Sequence, residues 1–143
     1  MTWKELLAQK RVERVPAGEG EIEGLLTLSA RALSDALIIA MTPEGRYDRA
    51  YDAARTLATA VVRSCGYRVK AVGGGHYNTF RALEAADAKQ FGAYAIYLDV
   101  CRRKRNELSY ESFGFVSDTE LEELIEQTSK FRNLTMAWMR SRK

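Results

Sequence analysis

The amino-acid sequence predicts an all-α fold: an up-and-down bundle of four or five helices preceded by an additional N-terminal helix. Three observations predict it. Apolar residues recur at spacings of three and four through most of the 143 residues, two capping-box sequences mark helix starts, and no segment of note reads as a strand. The length suits one domain over residues 1–143, and neither an internal repeat nor a low-complexity segment divides it.

Helix one opens at Thr2-Trp3-Lys4-Glu5, where Thr2 and Glu5 satisfy each other's free amides, and runs until it stops before Pro16. Pro16 to Gly20 is then a loop. The second helix carries Ile22, Leu25, Leu26, Ser29, Leu33, Ala36, Leu37 and Ala40 on one stripe, interrupted by Thr42-Pro43-Glu44-Gly45. Pro43 suits the first turn of the third helix. That helix has the clearest period in the chain, from Tyr47 through Ala50, Tyr51, Ala54, Leu57, Ala58 and Val61 to Cys65, ended by Gly66. Its many alanines imply close approach of a neighbouring helix. Tyr67 to His76, with Gly73-Gly74-Gly75, reads as irregular. A short helix follows from about Asn78 to Ala88, a fifth from about Gln90 to Leu108, and a last one begins at the capping box Ser117-Asp118-Thr119-Glu120.

Composition narrows the function classes. Hydrophobic residues make up 46% and charged residues 29%, as in a globular domain. No apolar run approaches the roughly 20 residues of a membrane span, and the N-terminus lacks the features of a signal peptide, so a cytoplasmic protein with no membrane role is expected. Cys65 and Cys101 sit inside helical patterns and read as reduced core thiols. A net charge of +3 is too small to mark a nucleic-acid binder by itself. Its distribution says more. Arg102-Arg103-Lys104-Arg105 is a basic run, and such a run on a helix is ordinarily a solvated face.

Several chemistries lack their residues. The triple glycine has no Lys-Ser/Thr after it and no strand before it, so it reads as a flexible loop and not a phosphate loop. His76 is the only histidine; no multi-histidine metal site is expected, no cofactor is implied, and His76 is placed as a cap of the short helix. Asp48 and Asp52 have Arg49 and Arg55 nearby and read as surface ion pairs. The fifth helix is different. Its inward stripe runs Phe91, Tyr94, Leu98, Cys101, Arg105, Leu108, so Arg105 falls where the core pattern wants an apolar residue. Either it pairs with an acidic residue of a neighbouring helix, or snorkels at the bundle end, or it serves function.

Arg105-Asn106-Glu107-Leu108-Ser109-Tyr110 resembles the signature of the prokaryotic HEPN domains, in which an arginine, commonly followed by a polar residue, precedes a histidine by a short spacer. The Ala-rich helix Tyr47 to Gly66, and His76 with the short helix after it, are similar to the preceding segments of that family, and the likeness spans roughly Ile22 to Arg140. The resemblance implies a homodimer with the two arginine motifs at its two-fold interface. Active members are metal-independent endoribonucleases, many in toxin–antitoxin or defence systems and often paired with a nucleotidyltransferase-type antitoxin. By position Arg105 would hold a phosphate, Asn106 would be the polar residue beside it, and Tyr110 occupies the histidine slot; Arg102, Arg103 and Lys104 are the further RNA-binding candidates. Tyrosine, with an ordinary pKa of about 10, is a poor proton shuttle near neutrality, but its ring can stack on a base. Two functions therefore remain: RNA or partner binding, with or without cleavage, and a purely structural or assembly bundle.

Overall fold

The computed structural model describes residues 1–110 and 116–142, with side chains for 1–108 and 116–142. Among the described residues, six helices and two short strands follow in the order α1 (Trp3–Ala8), β1 (Val12–Arg14), α2 (Glu21–Ala36), α3 (Pro43–Ser64), β2 (Tyr67–Val69), α4 (Gly75–Ala86), α5 (Ala88–Tyr110) and α6 (Asp118–Ser141). The mostly helical fold agrees with the sequence. No helix among the described residues is long and apolar enough to cross a membrane.

α3 is the axis of the bundle. Tyr47, Ala50, Tyr51, Ala54, Leu57, Ala58 and Val61 are all at most 3% exposed, because small residues at every turn let α2, α4, α5 and α6 pack against it. Thr42 caps it by accepting from Gly45 N, with Pro43 at its first position. α6 starts at its expected capping box and buries Leu121, Leu124, Thr128, Phe131, Thr135 and Trp138. α2 ends at Ala36, short of its apolar stripe. Arg46 of α3 donates through Nε to the Ala36 carbonyl at 2.7 Å and satisfies the helix end, leaving Leu37, Ile38 and Ile39 exposed.

Two expectations are corrected. The first helix does not approach Pro16: Lys10 adopts a left-handed conformation (φ 58°), and the chain leaves as β1. Nor is the segment after α3 wholly irregular, since β2 pairs antiparallel with β1 in the register Val12↔Val69, Glu13↔Arg68, Arg14↔Tyr67. A strand therefore does precede the triple glycine. It belongs to an antiparallel pair and not to a parallel βαβ unit, so it does not make a dinucleotide loop. Gly73 takes a left-handed φ of 76° that strains any L side chain, and an added Cβ would also push the Arg11 guanidinium aside. Leu6, Val12, Val62 and Ala82 form a second small core under the strands, closed by Trp3 stacked on Tyr67 with ring centroids 4.0 Å apart. Cys65 and Cys101 are free thiols.

Candidate functional site

α3, α4 and α5 meet at a cluster of charged and aromatic side chains. On α3, Asp48, Tyr51, Asp52 and Arg55 follow at three- and four-residue spacing and so share one flank. α4 contributes His76 and Tyr77 from its first turn, and α5 contributes Asp99, Arg102 and Arg105. The Tyr51 side chain is fully buried, and its hydroxyl lies 3.0 Å from His76 Nδ1. Arg105 donates through Nε to Asp48 Oδ1 at 2.8 Å, and its guanidinium carbon sits 5.6 Å from the centre of the Tyr51 ring. Arg102 donates to Asp99 Oδ1 at 2.7 Å and lies 5.8 Å from the centre of the Tyr77 ring, which Arg11 and Arg81 also approach at 5.6 and 5.5 Å. Arg55 reaches Asp52 only at 3.8 Å, beyond hydrogen-bond distance, and its buried Nε has no partner among the described residues. A cleft of about 290 Å³ opens at Arg105, lined also by Glu44, Gly45, Asp48 and Leu108.

The electrostatics follow from this crowding. Burial, reinforced by the guanidiniums of Arg55, Arg105 and Arg102, lowers the His76 pKa to about 4 from its ordinary 6.5. Its place in the first turn of α4, at the positive end of the helix dipole, opposes an imidazolium too. The ring is therefore neutral at physiological pH. Burial raises the Tyr51 hydroxyl well above its usual range, so it stays protonated.

Stability should record this. In the unfolded chain His76 takes up its proton near 6.5, in the folded chain only near 4, so between those values the unfolded state binds more protons. The contribution is complete above 6.5 and is lost as pH falls to 4. Glu21, held near 2 by hydrogen bonds from Arg63 and the Gly18 amide, adds a second loss below 4.5. A melting temperature followed downward from neutrality should fall in these two stages, and His76→Gln should lack the first. A wild-type melting temperature that is flat between about pH 6.5 and 4 would contradict the assignment.

The residues expected from sequence are dispersed by the geometry. Arg105 and Arg102, one turn apart on α5, both enter the cluster. Arg103 is exposed on the opposite side, and Lys104 turns to α6 and lies 3.6 Å from Glu120. Asn106 is half-buried and makes no side-chain hydrogen bond among the described residues. The Tyr110 side chain lies outside the described residues. The α5 backbone is helical through Tyr110, and five helical steps turn that position by about 140° from Arg105. His76 is not a cap: the N-cap position of α4 is Gly74, and His76 bonds instead to Tyr51 of α3. Asp48 pairs across to α5, and not within α3.

Sequence reasoning missed Tyr51, Arg55, His76 and Tyr77. Arg55 lies four residues after Tyr51 on one side of a helix, a spacing that places the two together, but nothing in the sequence says which helix faces them. A hollow of about 550 Å³ between α2 and α6 is lined by Ile22, Leu26, Met136, Met139 and Arg140 among others and contains none of these groups. No protein-family model, no curated protein and no solved structure matches this chain.

Proposed function

We propose that this chain is a HEPN-like helical protein that binds RNA through the face formed by Arg55, Arg102, Arg105 and Tyr77, as the effector of a toxin–antitoxin or defence system with a nucleotidyltransferase-type antitoxin as partner. One observation carries the RNA reading: three guanidiniums from two helices converge on a neutral histidine and a buried tyrosine hydroxyl, beside a second aromatic ring. Guanidiniums hold phosphate oxygens through paired hydrogen bonds, and an aromatic ring amid cations suits an unstacked base. The bond between Arg105 and Asp48 supports the other reading, a bundle whose arginines serve only its own ion pairs.

The two separate in a binding assay. Labelled single-stranded RNA should bind the wild type with a strong salt dependence. The double variant Arg102→Ala/Arg105→Ala should weaken binding about 100-fold at low salt and flatten the slope of log affinity against log salt by about 1.4, as expected for two lost phosphate contacts. The same samples, incubated without divalent metal, show whether binding is accompanied by cleavage. Circular dichroism and urea unfolding of the double variant check that it stays folded, since the substitutions take partners from Asp99 and Asp48. Unchanged RNA affinity in a folded double variant would leave the structural reading standing.

The dimer belongs to the same proposal. α5 is apolar on two sides: Phe91, Leu98 and Cys101 face the core, while Ile96 and Val100 are 60% and 50% exposed on the other. Pairing two such faces would bury them around the molecular two-fold. Sedimentation at tens of micromolar should give a dimer, and Ile96→Glu with Val100→Glu a folded monomer; a wild-type monomer at that concentration contradicts it.

A further inference from the structure

We propose that Arg55, Arg102 and Arg105 form a subsite for one phosphate group, and that occupation of this subsite draws a proton onto His76. The inference rests on the phosphate-binding reading above and adds a coupled proton, which that reading does not require.

The charged groups that act on the imidazole are Arg55 of α3 and Arg102 and Arg105 of α5, and behind them stand the carboxylates they reach, Asp52 at 3.8 Å, Asp99 at 2.7 Å and Asp48 at 2.8 Å. Tyr51 meets its Nδ1. From its own helix come Tyr77 and Arg81, with Arg11 on the other side of Tyr77. Three of these cations oppose an imidazolium. An anion seated among them offsets their field at the ring, so the protonated ring becomes less costly when the anion is present. Burial persists in the complex, and the pKa therefore returns only part of the way to its ordinary value.

The arrangement accepts either protonation state without moving. A tyrosine hydroxyl is both donor and acceptor. In the neutral ring it can donate to Nδ1; in the protonated ring Nδ1–H donates to the tyrosine oxygen over the same 3.0 Å. The Tyr51 ring is locked by full burial against Phe80, at 6.1 Å and 77°, so the hydroxyl stays in place through the exchange. Arg102 has spent only Nε on Asp99, and Arg55 makes no side-chain hydrogen bond among the described residues, so guanidinium donors remain for a phosphate oxygen.

Linkage fixes the consequence. If the anion raises the His76 pKa, protonation of His76 must tighten anion binding by the same factor, tenfold for each pH unit that the pKa rises. Overall affinity against pH sums every titrating group of the protein and is not a sufficient readout. The imidazole itself is: there is one histidine in the chain, and its ring resonances are unambiguous in carbon–proton NMR spectra.

The experiment follows those resonances in the full chain from about pH 8 to 4, alone, with sulfate, and with an oligouridylate whose bases and phosphodiesters do not titrate in that range. The free protein should titrate near 4. Saturating sulfate or RNA should raise that midpoint by about one pH unit, with about tenfold tighter binding in the protonated form. His76→Gln should lose the part of the pH dependence of sulfate affinity assigned to His76, and a pH dependence below about 6 that is unchanged in this variant overturns the coupling. Arg55→Gln should reduce the sulfate-induced movement. RNA binding that depends on Arg102 and Arg105 but leaves the His76 midpoint unmoved overturns the proton coupling and leaves the RNA reading intact. A midpoint moved by sulfate, with no RNA binding, supports the subsite and removes the RNA reading. If neither ligand moves it and neither binds, both are overturned.

Discussion

Replacing Arg63 with alanine should cost about 3–5 kcal/mol and lower the melting temperature by about 10–20 °C. Few side chains in the molecule are as fully used. Arg63 is 7% exposed, and all five of its N–H groups are matched: Nε and one Nη2 hydrogen go to the two oxygens of Glu21, Nη1 goes to the Val15 and Tyr67 carbonyls at 2.7 and 2.8 Å, and Nη2 also reaches the Pro16 carbonyl at 3.1 Å. Truncation strands three backbone carbonyls, takes both bonds from a carboxylate that is itself 34% exposed, and leaves a void besides. Arg63→Lys keeps the charge without the planar fork, so it should recover less than half of the loss. Urea unfolding followed by circular dichroism measures both variants. A loss below about 1 kcal/mol in the alanine variant would mean that water replaces the arginine, and that the bonds around it hold nothing together.

Phe131→Ala should be as damaging for the opposite reason, at about 3–5 kcal/mol, since it removes area and not hydrogen bonds. Phe131 is fully buried on α6, edge-on to Phe91 of α5 at 5.8 Å and 5.1 Å from the Tyr94 ring, and Phe91 in turn meets Trp138 at 5.2 Å. This aromatic group is the main bond between α5 and α6. The cavity cannot collapse without moving one of those helices off α3. Phe131→Leu, which refills most of the volume, should cost about 1.5 kcal/mol or less. The urea midpoint should shift at constant slope, because the native fold persists; an alanine variant within about 1 kcal/mol of wild type would show that α5 and α6 repack freely.

Local rules were the legible part of the fold. The capping boxes at Thr2/Glu5 and Ser117/Glu120 form as read, because both partners lie three residues apart and need nothing from elsewhere. The α3 stripe is buried as read, because a long helix repeats its signal over six turns. Val12-Glu13-Arg14 and Tyr67-Arg68-Val69 were not legible: three residues are too few for an alternating pattern, and their stabilising partner lies 55 residues away. The same holds for the candidate site. Arg102 and Arg105 share a face by spacing alone, whereas His76 joins them only because α4 crosses Tyr51. Arg105 illustrates the limit. Its position on the inward stripe was readable, but its partner Asp48 was not, since the sequence assigned that carboxylate to an ion pair within α3.

The β1–β2 pair has a consequence for the order of assembly. It closes a ring of 55 residues that contains all of α2 and α3, and closing such a ring from an open chain carries an entropy penalty of about 3.6 kcal/mol before any constant term. Three residues per strand, with one exposed ion pair between Glu13 and Arg68, do not offset that alone. Once α2 has docked along α3, the ends of the ring are already side by side and most of the penalty has been met. Helical pairing therefore comes first and the strands follow, with Arg63 joining the ring's two ends to α3 through the carbonyls of Val15 and Tyr67. The N-terminal helix, held by Met1 on Glu84 and Trp3 on Tyr67, arrives with β1 and is the last part to be secured.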